Sequence, residues 1–227
     1  KSFQLYNLNL AIEENRKPKN LIIAEGYMDV ITLYQNNFKT SVAPLGTALT
    51  SYQLERAWKF CENPIIMFDG DEAGQKAAQR VSILALNNLL PDHSVRFCLL
   101  PKNYDPDDYL KRNSSARLES IINESLSLSE FIWISELDRE DISTPEKKAG
   151  FEKRIKLLTE KINNKTVKEY YTKFFNDKLN NLKYVNYTNK NKNYNLTNNK
   201  VSSEILKSDR VKKETHDSVV REKIILI

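Results

Sequence analysis

Histidine and cysteine are scarce in this chain. Among its 227 residues there are two histidines, His93 and His216, and two cysteines, Cys61 and Cys98. The cysteines sit in apolar stretches (KFCENPIIMF and VRFCLL), too few and too far apart for a zinc site of their own or for a disulfide framework. A reduced, cytosolic setting follows as the simplest expectation. No run of about 18 apolar residues occurs, so no membrane span is expected, and no signal peptide is visible. An excess of one charge sign is also largely missing: 35 Lys and Arg stand against 30 Asp and Glu, a net +5. A mildly basic balance fits a nucleic-acid partner without requiring one. The chain opens on Lys1 and closes on the apolar run REKIILI, and both ends are expected to be cuts in a longer protein.

What is present is organised. Residues 1–20 are polar with some helical periodicity (LYNLNLAIEEN). From 21 to 110, four apolar runs follow: LIIAEG, TSVAPLG, PIIMFDG and SVRFCLLP. They do not alternate, and each ends on Gly or Pro, as strands buried on both faces of a parallel sheet do. Between them YMDVITLYQNN, SYQLERAWKFC and AGQKAAQRVSILALNNLL carry apolar residues at helical spacing, and Thr50 with Gln53 forms a capping-box signature for the second. The expected fold is therefore α/β. From 111 to 183 the periodicity is helical only, an appended helical subdomain. Residues 184–213 are rich in Asn, Lys and Ser and cannot bury enough surface to offset their chain entropy, so a linker is expected there.

Four of the five glycines, Gly26, Gly46, Gly70 and Gly74, fall at or just after expected strand ends, where the backbone turns sharply or approaches a ligand closely. The acids gather in the same places. Glu25 ends the first strand and Asp29 follows one turn later; Asp69 and Asp71 flank Gly70; Asp105, Asp107 and Asp108 follow the fourth strand. In open α/β sheets the site lies beyond the carboxyl ends of the strands. A lone aspartate after a strand is ordinarily a helix cap, and a single D-x-D also serves glycosyltransferases and phosphatases of other folds. Acids at three strand ends of one sheet point instead to a hard divalent cation, Mg²⁺ or Mn²⁺. Lys76 and Arg80, four apart after Asp71, are candidates for phosphate contact, against the plain alternative of a solvated helix face. Trp58, Phe131 and Trp133 lie at helical spacing with Leu and Ile, which marks them as core rather than as base-stacking platforms.

Glu25-Gly26 followed by Asp69-Gly70-Asp71 resembles the Toprim domain shared by primases, topoisomerases and some nucleases. The longer stretches EGYMDVITLYQNNF, APLGTALTSYQL, IIMFDGDEAGQKAAQRV and LLPKNYDPDDYL, then LSLSEFIWISEL and STPEKKAGFEK, resemble the bacterial DnaG-type primases over about residues 1–183. The resemblance implies a Toprim-type, Rossmann-like parallel sheet flanked by helices and followed by an all-helical subdomain. Residues 1–20 would end a preceding polymerase subdomain, and 214–227 would begin a helicase-binding domain. It implies Glu25, Asp69 and Asp71 as metal ligands of a catalytic site, with Asp29, Asp105 and Asp107 as further acids of that site.

The implied activity is synthesis of short RNA primers on single-stranded DNA from ribonucleoside triphosphates, by nucleotidyl transfer with two Mg²⁺ or Mn²⁺ ions. Such chemistry needs carboxylates as holders and no histidine base, which leaves His93 and His216 as bystanders. A DnaB-type replicative helicase is the implied partner, through the C-terminal region, and the bacterial cytoplasm at the replication fork the implied location. The family's zinc-binding domain and the basic first half of its polymerase domain have no counterpart here, so zinc is expected only outside this chain and the chain alone is expected to be inactive. The alternatives are another Toprim protein, a nuclease or topoisomerase-like enzyme, and a non-catalytic scaffold that binds the helicase.

Overall fold

A computed structural model describes residues 2–46 and 48–196. The chain divides into two units, Lys1–Thr172 and Lys173–Ile227. In chain order the elements are β1 (Leu5–Tyr6), α1 (Leu8–Glu14), β2 (Ile22–Ile23), α2 (Tyr27–Gln35), β3 (Ser41–Pro44), α3 (Ser51–Trp58), β4 (Ile65–Phe68) and α4 (Glu72–Asn88), then β5 (Arg96–Leu99), α5 (Pro106–Arg112), α6 (Ser115–Asn123), β6 (Leu126–Ser127), α7 (Leu128–Arg139), α8 (Pro145–Glu160) and α9 (Lys165–Leu196). Among the described residues no helix is long and apolar enough to cross a membrane.

The strands form one sheet in the order β1-β3-β2-β4-β5-β6. The central four are parallel, as the unalternating apolar runs predict. Their side chains alternate between two buried faces. Ile22, Ile65, Met67 and Cys98 point to one face, where they pack with Val30 and Leu33 of α2, Tyr109 of α5, and Leu118 and Ile122 of α6. Phe68 and Phe97 point to the other and stack 6.2 Å apart, and Phe97 stacks in turn on Phe131 of α7 at 4.1 Å. Burying one such phenylalanine stabilises the fold by roughly 1.5–3 kcal/mol. Phe131, Trp133 and Trp58 are all buried. Trp133 meets Phe151 of α8 edge to face, and the Trp58 indole donates to the Ser94 carbonyl at 2.7 Å. Both cysteines are free and buried, and burial pushes the Cys98 thiol up to about 12, which makes it unreactive.

The structure departs from the sequence-based expectation at three places. The sheet is mixed, because β1 joins β3 and β6 joins β5, each antiparallel. Residues 1–20 thus add β1 and α1 to this sheet, and the Asn7 side chain donates to the Ser41 carbonyl at 3.0 Å. The stretch after 110 is not purely helical, since β6 lies within it. Strands of two residues are too short for a period of two to show, and they exist only because a neighbouring edge offers hydrogen-bond partners. Finally, α9 runs on to Leu196, past the expected start of the linker at 184; a helix already nucleated adds one bond for each residue it fixes and can continue through polar sequence. In the second unit, Phe174 and Phe175 meet edge to face at 5.3 Å on this helix. The expected helicase-binding segment, 214–227, lies outside the described residues.

The Thr50 capping box forms as the sequence indicates. Thr50 Oγ1 accepts from the Gln53 amide and Gln53 Oε1 accepts from the Thr50 amide. The same two side chains hold the start of the chain: Thr50 Oγ1 donates to the Ser2 carbonyl at 2.7 Å, and Gln53 Nε2 donates to the Gln4 carbonyl at 2.8 Å. Thr50→Ala is expected to lower the unfolding free energy by about 1 kcal/mol and Thr50→Ser to leave it nearly unchanged, measured by urea denaturation. Equal midpoints for Thr50→Ala and the parent would contradict this role.

Candidate metal centre

The topology marks where a ligand would bind. From β2 the chain crosses to β3 on one side; from β4 it crosses to β5 on the other, because β2 and β4 are adjacent at the centre of the sheet. The two crossings diverge and leave a crevice beyond the carboxyl ends of β2 and β4. Glu25 follows β2 and Asp69 follows β4, and the Asp69 amide donates to Glu25 Oε1 at 3.4 Å across this switch point. The loop after β5 is laced to the loop after β4: the Gly70 amide donates to the Tyr104 carbonyl at 2.8 Å, and the Asn103 amide to the Gly70 carbonyl at 3.0 Å.

Two glycines allow this lacing. A Cβ on Gly70 would lie 2.0 Å from the Pro101 carbonyl oxygen, and one on Gly74 would lie 2.2 Å from that of Asp69. The close approach expected at these glycines is made to the chain's own backbone. It brings Asp69, Asp71 and Asp105 onto one frame.

Most of the acids bond a donor of the chain itself. Asp71 is the N-cap of α4 and accepts from the Gly74 amide at 2.7 Å; Asp105 is the N-cap of α5 and accepts from the Asp108 amide at 2.6 Å. Asp29, in the first turn of α2, accepts from the Gly26 amide at 2.9 Å. Each of these bonds engages one carboxylate oxygen, so capping and membership of an acid cluster coexist. Asp107 accepts from Thr32 Oγ1 at 3.2 Å and pairs with Lys111 Nζ at 2.5 Å.

The carboxyls feel one another's charge. Burial first, then Glu25, Asp29, Asp105 and Asp71, push Asp69 up to about 7. Asp29 is raised by burial and by Asp105 and Asp107, against the pull of the Gly26 amide. Glu25 is open to solvent on one side, yet the loss of water on its other side raises its carboxyl, with Asp71 and Asp29 adding and the Asp69 amide and Arg80 opposing. Asp107 is lowered, chiefly by its hydrogen bond from Lys111. Among the described residues no three acidic, histidine or cysteine side chains converge tightly enough to form a ready-made ion cage. The donor chemistry nonetheless suits a hard cation: several oxygens, excess negative charge and a carboxyl already shifted by repulsion.

Residues 22–110 match the Toprim-like family model. Over 179 residues the chain is 37% identical to the DNA primase of Rickettsia typhi and 32% identical to that of Escherichia coli strain K12, in each case over 79% of this chain. The fold is similar to the E. coli primase catalytic core, with a TM-score of 0.72, 32% identity, and coverage of 79% of this chain and 57% of that one. It is also similar to a DnaG primase catalytic domain bound to single-stranded DNA, with a TM-score of 0.71, 30% identity and the same coverage. This chain belongs to the DnaG-type primase family. It spans about three tenths of the length of the curated primases it matches.

In this chain Glu25, Asp29, Asp69, Asp71 and Asp105 share one electrostatic neighbourhood, and Asp107 joins it through Asp29. The two basic candidates separate. Lys76 is exposed and pairs with Glu72 at 2.5 Å on the solvated face of α4. Arg80 opposes the rise of Glu25 and lines, with Glu25, Ile23, Leu49 and Val81, a cavity of about 490 Å³ beside the cluster. His93 packs against Trp58 at 5.6 Å before the start of β5, at the far end of the strands, and His216 lies outside the described residues. Sequence reasoning missed Lys111 and Thr32. Lys111 stands four residues after Asp107, a helical pair that was open to view; Thr32 had no sequence signal, because its role depends on α2 packing against α5.

The acid cluster carries a pH signature. Asp69 holds its proton to about 7 in the folded chain and loses it near the ordinary carboxyl value of about 4 when unfolded. Between these values the folded state binds the extra proton, so stability without metal falls as pH rises through the window, and the loss is complete above it. Asp29 and Glu25, also raised, add with the same sign. Asp69→Asn is expected to flatten the fall and to raise the melting temperature at pH 8 in chelator. Melting curves with the same pH slope in both proteins would contradict the cluster.

Proposed function

We propose that this chain is the metal-holding part of a primase catalytic core, which synthesises short RNA primers on single-stranded DNA from ribonucleoside triphosphates. The observation that carries the proposal is the meeting of Glu25 and Asp69 beyond the adjacent strands β2 and β4, where the Asp69 amide bonds Glu25 and Asp71 caps the next helix, in a chain whose relatives are DNA primases. In this scheme Glu25, Asp69 and Asp71 hold divalent ions, Mg²⁺ or Mn²⁺ and two in number, while Asp29, Asp105 and Asp107 supply outer oxygens. Bound ions of this kind lower the pKa of an attacking 3′-hydroxyl and offset charge on the leaving pyrophosphate. The chain's own contribution is positional. The bond from the Asp69 amide to Glu25 and the caps at Asp71 and Asp105 orient the carboxylates before any ion arrives. Arg80, at the rim of the cavity beside Glu25, is the phosphate contact favoured over Lys76, whose charge Glu72 already answers.

The chemistry is nucleotidyl transfer, and the basic first half of the family's polymerase domain has no counterpart in this sequence, so the chain alone is inactive in this scheme. The setting is the bacterial cytoplasm at the replication fork, and a DnaB-type helicase is reached through the C-terminal region. The primase relatives do not favour the nuclease, topoisomerase-like or scaffold alternatives.

Calorimetry with Mn²⁺ tests the ligand set. Loss of an outer-shell partner alone costs about 10- to 100-fold in metal affinity, so Glu25→Gln combined with Asp69→Asn is expected to weaken Mn²⁺ binding at least tenfold or so. Binding equal to the parent's would remove these residues from the site. Incubation of the chain with single-stranded DNA, labelled ribonucleotides and Mg²⁺ is expected to yield no primers; appreciable template-dependent product would show that the missing half is dispensable.

A further inference from the structure

Among the described residues Arg80 and Lys111 border the acid cluster, and they stand in different relations to it. Arg80 touches the field of Glu25 from α4. Lys111, in the last turn of α5, is bonded directly to Asp107 at 2.5 Å and also lies in the field of Asp105 and Asp108. Asp107 is engaged on both oxygens: Lys111 takes Oδ2 and Thr32 of α2 takes Oδ1. With one protein donor on each oxygen Asp107 keeps free lone pairs, so what an approaching cation meets there is the charge of Lys111 rather than a filled shell. Thr32 is neutral and bonds at 3.2 Å, whereas Lys111 brings the full positive charge.

We propose that the Lys111 ammonium is the resident counter-ion of the acids after β5, competing with a divalent ion for Asp107 and so setting the metal concentration at which the outer part of the cluster fills. The proposal rests on the reading of the acid cluster as a divalent-metal centre. The geometry suits exchange. The Lys111 side chain is 64% exposed, so it can swing into water at little cost in packing. The pair is more than an ordinary helix-surface contact, because Asp107 is fixed from the other side by α2, the helix that carries Asp29. Asp29, raised first by burial, also feels the charges of Asp105 and then Asp107, which links the outer acids to the inner ones. Lys111 is a positioning residue in this role, acting on metal occupancy through Asp107.

The test counts bound Mn²⁺ by electron paramagnetic resonance on the whole chain at fixed pH. Removing one positive charge beside a dication is expected to shift the Mn²⁺ isotherm of Lys111→Met to lower metal by on the order of tenfold. Lys111→Gln, which keeps a polar end without the charge, is expected to shift likewise. Lys111→Arg restores the cation and is expected to bind as the parent does. If Lys111→Met and Lys111→Gln both follow the parent isotherm while Asp69→Asn loses Mn²⁺, Lys111 is only a helix pair and the metal centre still stands. If Asp69→Asn combined with Glu25→Gln also follows the parent, the metal centre itself is wrong.

Discussion

Repulsion among carboxylates beyond the ends of three parallel strands is the constraint on which the rest of this structure depends. Glu25, Asp69 and Asp105 follow β2, β4 and β5, which lie side by side, so the fold itself forces like charges together. The chain contains the repulsion with donors at hand. Backbone amides at the first turns of α2, α4 and α5 each take one oxygen, and the partial positive charge at helix starts favours the anion there. Asp69, two residues before the α4 cap, carries the largest consequence, a carboxyl pushed up to about 7.

The frame beneath these acids is rigid for a specific reason. Gly70 and Gly74 let backbone meet backbone at distances no side chain tolerates, and the bonds between Gly70, Asn103 and Tyr104 join the β4 loop to the β5 loop. Below them the stacked rings of Phe68, Phe97 and Phe131 tie the same two strands to α7. The helices after the sheet therefore brace the strands that carry the acids, which gives the appended region a part in holding the centre.

Much of this was legible in the sequence, and the exceptions have physical causes. LIIAEG, TSVAPLG, PIIMFDG and SVRFCLLP contain the four parallel strands, and Thr50 with Gln53 forms the capping box that was expected. The acids after strands were legible as a group because three strand ends shared them. The edge strands β1 and β6 were not, since two residues carry no periodicity and Ser127 also caps α7. Gly70 and Gly74 stood out, but what they approach, a carbonyl rather than a ligand, depends on loops far apart in sequence. The difference between Lys76 and Arg80 was equally hidden: both lie on one side of α4, and only the structure shows Lys76 answered by Glu72 and Arg80 turned to the cavity.

The most direct test of this account is a carbon-13 NMR titration of the Asp69 carboxyl, followed in chelator and again with Mg²⁺. The expected midpoint without the ion is about 7. Mg²⁺ should move it well down, because a cation among the carboxylates favours the charged form. A midpoint near the ordinary value of about 4 without the ion, unmoved by Mg²⁺, would mean that the strand-end acids neither crowd one another nor form a metal centre.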